Sequence, residues 1–309
     1  MQVALELNSL TKKFGNLVAV DNLSLKIFEG EMIALVGPDA AGKTTTLRMI
    51  CGLLGKTGGT IKIFGKEISI GDKEIKKSLG YLSQKFSLYG DLTIDENIEF
   101  FAEIHGVQNF ITRREELLDF TRLKKHRDKL GDNLSGGMKQ KLALACTLIH
   151  TPKIILLDEP TAGVDPVSRR DFWKILSELL KTNVTILLTT QYLDEAERCA
   201  RVGLINEGKL LQFDKPSNLE KSLTDQFIEV VCSPIRKAFK ILLEETKIQN
   251  VQAFGDRIHF SLSGSNMIIP QVIEKLKNSS INVDSWRNIN PTLENVFISL
   301  VTDEEKKIN

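Results

Sequence analysis

Apolar and polar positions alternate in two bouts near the start of the chain, at 3–7 and 23–28, with a turn at Phe14-Gly15-Asn16 between them. A period of two marks half-buried strands, so the pattern predicts antiparallel strands laid on one face of a core. The texture then changes. Residues 32–36 are continuously apolar, 43–54 are compatible with a helix, and short strands are expected at 61–64, after a glycine-rich turn over 53–60, and at 79–83. From 93 to 132 apolar residues recur three and four apart, predicting helices at 95–104 and 113–124. A helix over 138–149, an apolar strand from 154 through Asp158 and Glu159 that Pro160 stops, a helix over 166–181, a strand over 184–188 and a helix over 193–200 follow. Alternation of buried strands with helices predicts an α/β core around a mostly parallel sheet, with an antiparallel β subdomain before it and the 93–132 helices as an inserted lobe.

The pattern loosens at Asp214-Lys215-Pro216-Ser217-Asn218, and a linker helix is expected there. We therefore expect a first domain over 1–222, with its helical lobe at 86–133, and a second over 223–309. The second reads strand 226–232, helix 234–245, strands 248–254 and 257–262, helix 267–277 and strand 281–287, the βαββαβ order of a ferredoxin-like α+β domain, closed by a helix over 291–301. This part shows no catalytic constellation, so it is expected to serve regulation or dimer stability, with plain structural support as the alternative.

Composition narrows the partners. A chain of 309 residues accommodates one large core and a small second domain. With 41 basic against 40 acidic residues the net charge is +1, so no global field draws it to nucleic acid or an anionic membrane. The basic run 122–129 reads as a solvated helix face or as a binding patch. Four cysteines without a C-x-x-C pair point to neither a zinc site nor a disulfide framework, which fits a reducing compartment. The N-terminus has no positive segment ahead of an apolar one, and no run approaches the roughly 18 apolar residues of a membrane span.

The candidate chemistry begins at Gly37-Pro38-Asp39-Ala40-Ala41-Gly42-Lys43-Thr44, which fits G-x-x-x-x-G-K-[ST] between a strand and a helix, with Thr45 next in the first helical turn. Free N–H groups at a helix start attract phosphate, Lys43 would neutralise it, and the Thr44 hydroxyl suits Mg²⁺. Gln84 follows a strand end, where α/β sheets place ligand-facing residues, although a surface glutamine is the plainer reading. Ser135-Gly136-Gly137 makes a second anion-binding helix start, or an ordinary cap. Asp158 and Glu159 close an apolar strand, which suggests metal and proton chemistry. Phe14, by pattern alone, is core filler before it is a stacking surface.

The phosphate loop, Leu134-Ser135-Gly136-Gly137 and Leu156-Leu157-Asp158-Glu159-Pro160, in that order, resemble the nucleotide-binding subunit of ABC transporters over roughly residues 3–220, and Leu188-Thr189-Thr190-Gln191-Tyr192-Leu193-Asp194-Glu195-Ala196-Glu197 is similar to the drug- and antibiotic-export branch. The resemblance implies ATP and Mg²⁺ as cofactors, Thr44, Asp158 and Gln84 at the metal, and Glu159 as the base for the attacking water. It further implies Phe14 stacked on adenine, and Ser135, Gly136 and Gly137 on the γ-phosphate held by an opposite subunit. Asp165 would lie in the loop crossing that dimer interface. Implied partners are an identical or sister ATP-binding subunit and transmembrane permease subunits that supply the only membrane contact, on the cytoplasmic face; no nucleic acid is expected.

Three departures stand out. Ala40 replaces the family's glycine, at a cost on the order of 1 kcal/mol if the position needs positive φ. Asp39 replaces asparagine beside the triphosphate. Gln191 replaces the switch histidine, and glutamine carries no proton near neutral pH. The expected function is an ATPase subunit powering export of a drug, lipid or similar amphiphile. The alternatives are a soluble ATPase acting on ribosomes or nucleic acid, and a nucleotide-gated scaffold that hydrolyses little.

Overall fold

The computed structural model describes residues 2–69, 71–72, 77–85, 88–223, 225–246, 248–262 and 269–308. Residues 86–87 of the expected lobe and 267–268 of the expected helix lie outside the described residues. The chain divides into two compact units, Met1–Lys215 and Pro216–Asn309.

The first unit opens with β1 (Val3–Phe14) and β2 (Leu17–Phe28), each longer than its alternating bout, which pair antiparallel and meet at Phe14 and Leu17. Strands β4 (Gly58–Ile63) and β5 (Lys66–Glu67) extend this sheet in the order β2-β1-β4-β5. Leu5, Leu7, Leu23, Ile27, Ile61 and Ile63 share one buried cluster with Ile33, Leu35 and Leu47.

The second sheet carries β3 (Met32–Val36), β6 (Leu79–Leu82), β7 (Ile154–Asp158), β8 (Thr185–Thr190), β9 (Arg201–Asn206) and β10 (Lys209–Asp214), ordered β10-β9-β3-β8-β7-β6. All but β10 run parallel. Every residue of β3, β7 and β8 is buried, as expected of strands covered on both faces. Helix α1 (Lys43–Ile50) leaves β3 through the phosphate loop.

Strands β9 and β10 were not anticipated. The helix predicted over 193–200 stops as α6 (Leu193–Ala196), and Ala200 N–H donates to Met32 O at 2.8 Å, which draws the chain into pairing beside β3. A two-residue turn then reverses it, with φ of 46° at Glu207 and 80° at Gly208, the positive pair that matches the strand twist of a tight hairpin. Arg201 fixes β9 to the β2–β3 connection. Its Nε donates to Glu31 Oε1 at 2.6 Å and Nη2 to Glu31 Oε2 at 2.6 Å, while the guanidinium lies 4.4 Å from the Phe213 ring centroid and 5.2 Å from that of Phe28.

The lobe comprises α2 (Ile94–Ile104) and α3 (Phe110–Phe120), and short 3₁₀ turns at Lys124–His126 and Gly131–Asn133 lead from it into α4 (Gly136–Leu148). Thr93 and Glu96 form a reciprocal capping box at the start of α2. Fully buried Asn97 bonds Tyr89 N, Tyr89 O, Leu92 O and Thr93 O, which secures the entry loop. Three cations of the basic run pair within the chain: Arg127 bonds Asp95 and Glu115, Lys124 bonds Asp119, and Arg122 pairs with Asp171 on α5 (Pro166–Leu180), while Lys125 and Lys129 are exposed.

The second unit starts with α7 (Pro216–Ser222). Strands β11 (Gln226–Ser233), β12 (Ile248–Phe254), β13 (Arg257–Leu262) and β14 (Asn282–Ile289) form an antiparallel sheet ordered β12-β13-β11-β14. With α8 (Ile235–Leu243) after β11 and α9 (Ile269–Asn278) before β14, this is the ferredoxin-like arrangement, closed around Ile228, Val230, Leu242, Phe260 and Leu276. Helix α10 (Leu293–Ile308) runs further than the pattern indicates.

Candidate active site

Four parallel strands end on one edge of the sheet, Val36 beside Thr190 and Asp158 beside Thr189, with Leu82 one strand further. Ligand-facing residues gather at such carboxyl ends. Gly37, Gln84, Glu159 and Gln191 each follow one of these ends within two residues.

The loop between β3 and α1 is pressed against its neighbours. A Cβ on Gly37 would lie 2.0 Å from Ile205 O, and one on Gly42, whose φ is 97°, would lie 2.4 Å from Ala19 O. Gly208 N–H donates to Ala41 O at 3.1 Å, so the tip of the β9–β10 hairpin backs the loop. Gly42 caps α1 without a side-chain hydrogen bond, which leaves the helix's first N–H groups for an outside acceptor. Ala40 sits at φ 62°, so the condition attached to this departure is met. Pro38, Asp39 and Ala40 are exposed, Ala41 is buried, and Thr45 is half-buried.

Within this frame the charged residues meet. Lys43 Nζ donates to Gly37 O at 2.8 Å and Pro38 O at 2.9 Å, and pairs with Glu159 Oε1 at 3.2 Å. Gln84 Nε2 donates to the other oxygen, Glu159 Oε2, at 3.0 Å. The Thr44 hydroxyl donates to Asp158 Oδ1 at 3.0 Å, and Thr189 donates to the same oxygen at 2.7 Å. Glu159 takes φ 47°, with its N–H donated to Thr189 O and Thr189 Oγ1, both at 3.1 Å. Strain of this kind concentrates at functional sites. The structure therefore assembles Lys43, Thr44, Gln84, Asp158 and Glu159 in one cluster.

The other singled-out residues stand apart from it. Phe14 is 48% exposed, with Lys12 Nζ 4.8 Å from its ring centroid, so the core reading is wrong: at the last position of β1, beside the turn to Leu17, its ring is open to solvent. Ser135 caps α4 by accepting Met138 N–H at 3.3 Å, which starts that helix two residues earlier than its periodicity suggests. A Cβ on Gly137 would come within 2.4 Å of Ser168, so α4 and α5 touch there. Asp165 caps α5 through Val167 and Ser168 N–H groups, and its bonds from Ser168 hold its carboxyl below the usual range. Gln191 is exposed just after β8.

Two participants went unrecognised in the sequence. Tyr81 reaches Asp158 Oδ2 at 3.4 Å, and burial, followed by the Asp158 charge, pushes its phenol up to about 12. Thr189 joins Asp158 to Glu159, and only its place at a strand tip beside Asp158 signals that role.

The donor set fits a magnesium nucleotide. The hydroxyl of Thr44 and the carboxylate of Asp158 are hard oxygens in contact, and Mg²⁺ is commonly held by one or two protein oxygens plus phosphates and waters. The described residues contain no group of three or more His, Cys, Asp or Glu around a common point that could hold a metal without such additions.

Known proteins resemble this chain in sequence and fold. The family model described as ABC transporter matches residues 20–162. The "Probable multidrug ABC transporter ATP-binding protein YbhF" of Escherichia coli is 41% identical over 71% of this chain, which spans 38% of that relative's length. The "Nod factor export ATP-binding protein I" of Cupriavidus metallidurans is 34% identical over 82% of this chain and 86% of its own. A dimeric ATP-binding cassette in a post-hydrolysis state, bound to ADP and Pi, superposes with a TM-score of 0.62 at 28% identity, covering 68% of this chain and 98% of that one.

Proposed function

Because the chain belongs to the ABC transporter family of ATP-hydrolysing, ATP-binding subunits, we propose that it binds Mg·ATP at the 37–45 loop, hydrolyses it with a second cassette, and drives a separate membrane permease that exports an amphiphile such as a drug or lipid. The observation that carries this reading is the contact of Glu159 with both Lys43 and Gln84, next to the Thr44–Asp158 pair.

Each residue has a task. The N–H groups at the start of α1 and Lys43 hold the β- and γ-phosphates. Thr44, Asp158 and Gln84 would hold Mg²⁺, which supplies charge neutralisation at the phosphates. Glu159 takes the proton of the attacking water, and Gln84 orients that carboxylate through Oε2. Phe14, exposed at its strand end, offers its face to adenine. Ser135, Gly136 and Gly137 at the start of α4 act on the nucleotide of the opposite subunit, and Asp165 sits in the loop between the two chains. Gln191 donates a hydrogen bond toward the γ-phosphate.

Export is supported by the relatives' names, which speak of multidrug transport and Nod factor export. No described helix is long and apolar enough to cross a membrane, and the proposal places the pathway in a permease. The permease contact is assigned to the lobe side, where a groove of about 250 Å³ is lined by Leu53, Tyr81, Phe101, His105, Cys146 and His150. Tyr81 lines it while touching Asp158, so an apolar permease segment seated there is one hydrogen bond from the site. The near-neutral chain, and the pairing of Arg122, Lys124 and Arg127 within it, speak against a nucleic-acid partner.

The test is the ATPase rate of the purified chain beside a Glu159→Gln variant. Loss of about 10²–10⁴-fold supports the assignment of the base, and equal rates refute it. Co-purification with membranes that carry the permease supports the transport role, whereas recovery with ribosomal RNA overturns it.

A further inference from the structure

Glu195 is 1% exposed, in a short helix with no part in the chemistry above. A buried carboxylate is costly unless each oxygen is satisfied. Here the two oxygens serve different segments. Oε1 accepts the hydroxyl proton of Thr161 and pairs with Arg169 Nε at 3.5 Å, whereas Oε2 accepts that of Thr190 at 2.8 Å. Thr161 and Thr190 are themselves 1% exposed.

The segments are the two on which the reaction depends. Thr161 stands two residues after Glu159, in a chain of turns where Ala162 N–H donates to Glu159 O and Val164 N–H donates to Thr161 O, both at 3.1 Å. This run ends at Asp165, the cap of α5. Thr190 directly precedes Gln191, and its hydroxyl oxygen also accepts Tyr192 N–H at 3.0 Å. Arg169 closes the ring from the α5 side, with its guanidinium 4.5 Å from the Tyr192 ring centroid. One side chain thus bolts the turn that follows Glu159 to the strand end that precedes Gln191.

We propose that Glu195 is a positioning residue that makes the Glu159–Asp165 turn and the Gln191 strand end move as one body, so that a second cassette docking on residues 162–165 sets Gln191 at the same time. The inference rests on the reading of the site as a two-chain ATPase, and its first measurement does not depend on turnover.

In the full chain, Glu195→Gln removes the charge, and Glu195→Asp keeps the charge but is one methylene too short to span both hydroxyls. Amide exchange is expected to accelerate about tenfold at Ala162, Val164 and Tyr192 together in either variant, with β7 amides unchanged. Acceleration in one segment only, or in neither, overturns the lock. In turnover, both variants are expected to lose about tenfold in kcat while nucleotide affinity holds within about twofold. Unchanged kcat, or a loss confined to affinity, overturns the positioning role. If the variants fail to fold, Thr161→Val and Thr190→Val each remove a single donor and are read the same way. A native chain no faster than Glu159→Gln instead sinks the ATPase reading, and the exchange result still decides the lock.

Discussion

Lys43 Nζ sits 3.2 Å from Glu159 Oε1, with the two side chains only 3% and 8% exposed. The cation assigned to the phosphates and the carboxylate assigned to the water thus neutralise one another. On the proposed reading, a triphosphate would compete with Glu159 for Lys43 and, by winning, would leave Glu159 Oε1 open to a water while Gln84 still holds Oε2. Glu159→Gln removes that competitor, so we expect Mg·ATP affinity to rise by about three- to tenfold even as turnover collapses. Calorimetric titration checks this, and equal or weaker binding contradicts it.

Gln191 marks the second prediction. Exposed at the end of β8, it can donate a hydrogen bond but cannot deliver charge near neutral pH. Gln191→His is expected to raise the ATPase rate of the assembled transporter on the order of tenfold below the imidazole pKa, with little change in nucleotide affinity. A rate that stays level or falls rules this out.

Ala40 holds φ 62° in the exposed part of the phosphate loop. Glycine adopts that conformation without strain, so Ala40→Gly should stabilise the chain by up to about 1 kcal/mol, and Ala40→Val should destabilise it by more. Thermal midpoints that move the other way would exclude strain at this residue.

A pH effect follows from the lobe. The His105 and His150 rings stack with centroids 4.0 Å apart. Partial burial, then the neighbouring His150, lowers His105 to about 4, and burial also lowers His150. In the unfolded chain each titrates near the ordinary value of about 6.5. Between those limits the unfolded state binds more protons, so stability is complete above pH 6.5 or so and declines as pH falls toward 4. His105→Phe keeps a stacked ring and should flatten that decline. Denaturant midpoints at pH 7 and 5 measure it, and an unchanged slope refutes the assignment.

Arg201 anchors β9 to the turn before β3. It grips Glu31 with two hydrogen bonds of 2.6 Å and lies over Phe213. Lysine has neither the planar fork nor the stacking face, so Arg201→Lys is expected to cost about 1–3 kcal/mol in chemical denaturation. A loss below about 0.5 kcal/mol would mean that this contact adds nothing.

Local pattern made much of this molecule legible. Fully apolar β7 ending in Asp158 and Glu159, and β3 running into the loop, are strings whose chemistry and position agree. What stayed hidden depends on distant partners. The Gln84–Glu159 bond joins residues 75 apart in sequence, and Glu195 reads as an ordinary acid on a short helix until Thr161 and Thr190 close over it. Phe14 misleads because alternation does not say that the end of a hairpin, where Phe14 pairs with Leu17, lies open to solvent. The β9–β10 hairpin is hard to read although Glu207-Gly208 carries a turn signal, since buried Val202 and Leu204 pair with β3, about 170 residues away.

That hairpin also sets an order of events. Gly208 donates to Ala41 O and accepts from Asp21 N–H, so the backing of the phosphate loop lies more than 160 residues downstream of it. During synthesis the loop sequence emerges well before this hairpin, so it lacks that backing until residue 208 has left the ribosome. Nascent chains released before that point should ignore nucleotide, and those released beyond β10 should be the first to capture it.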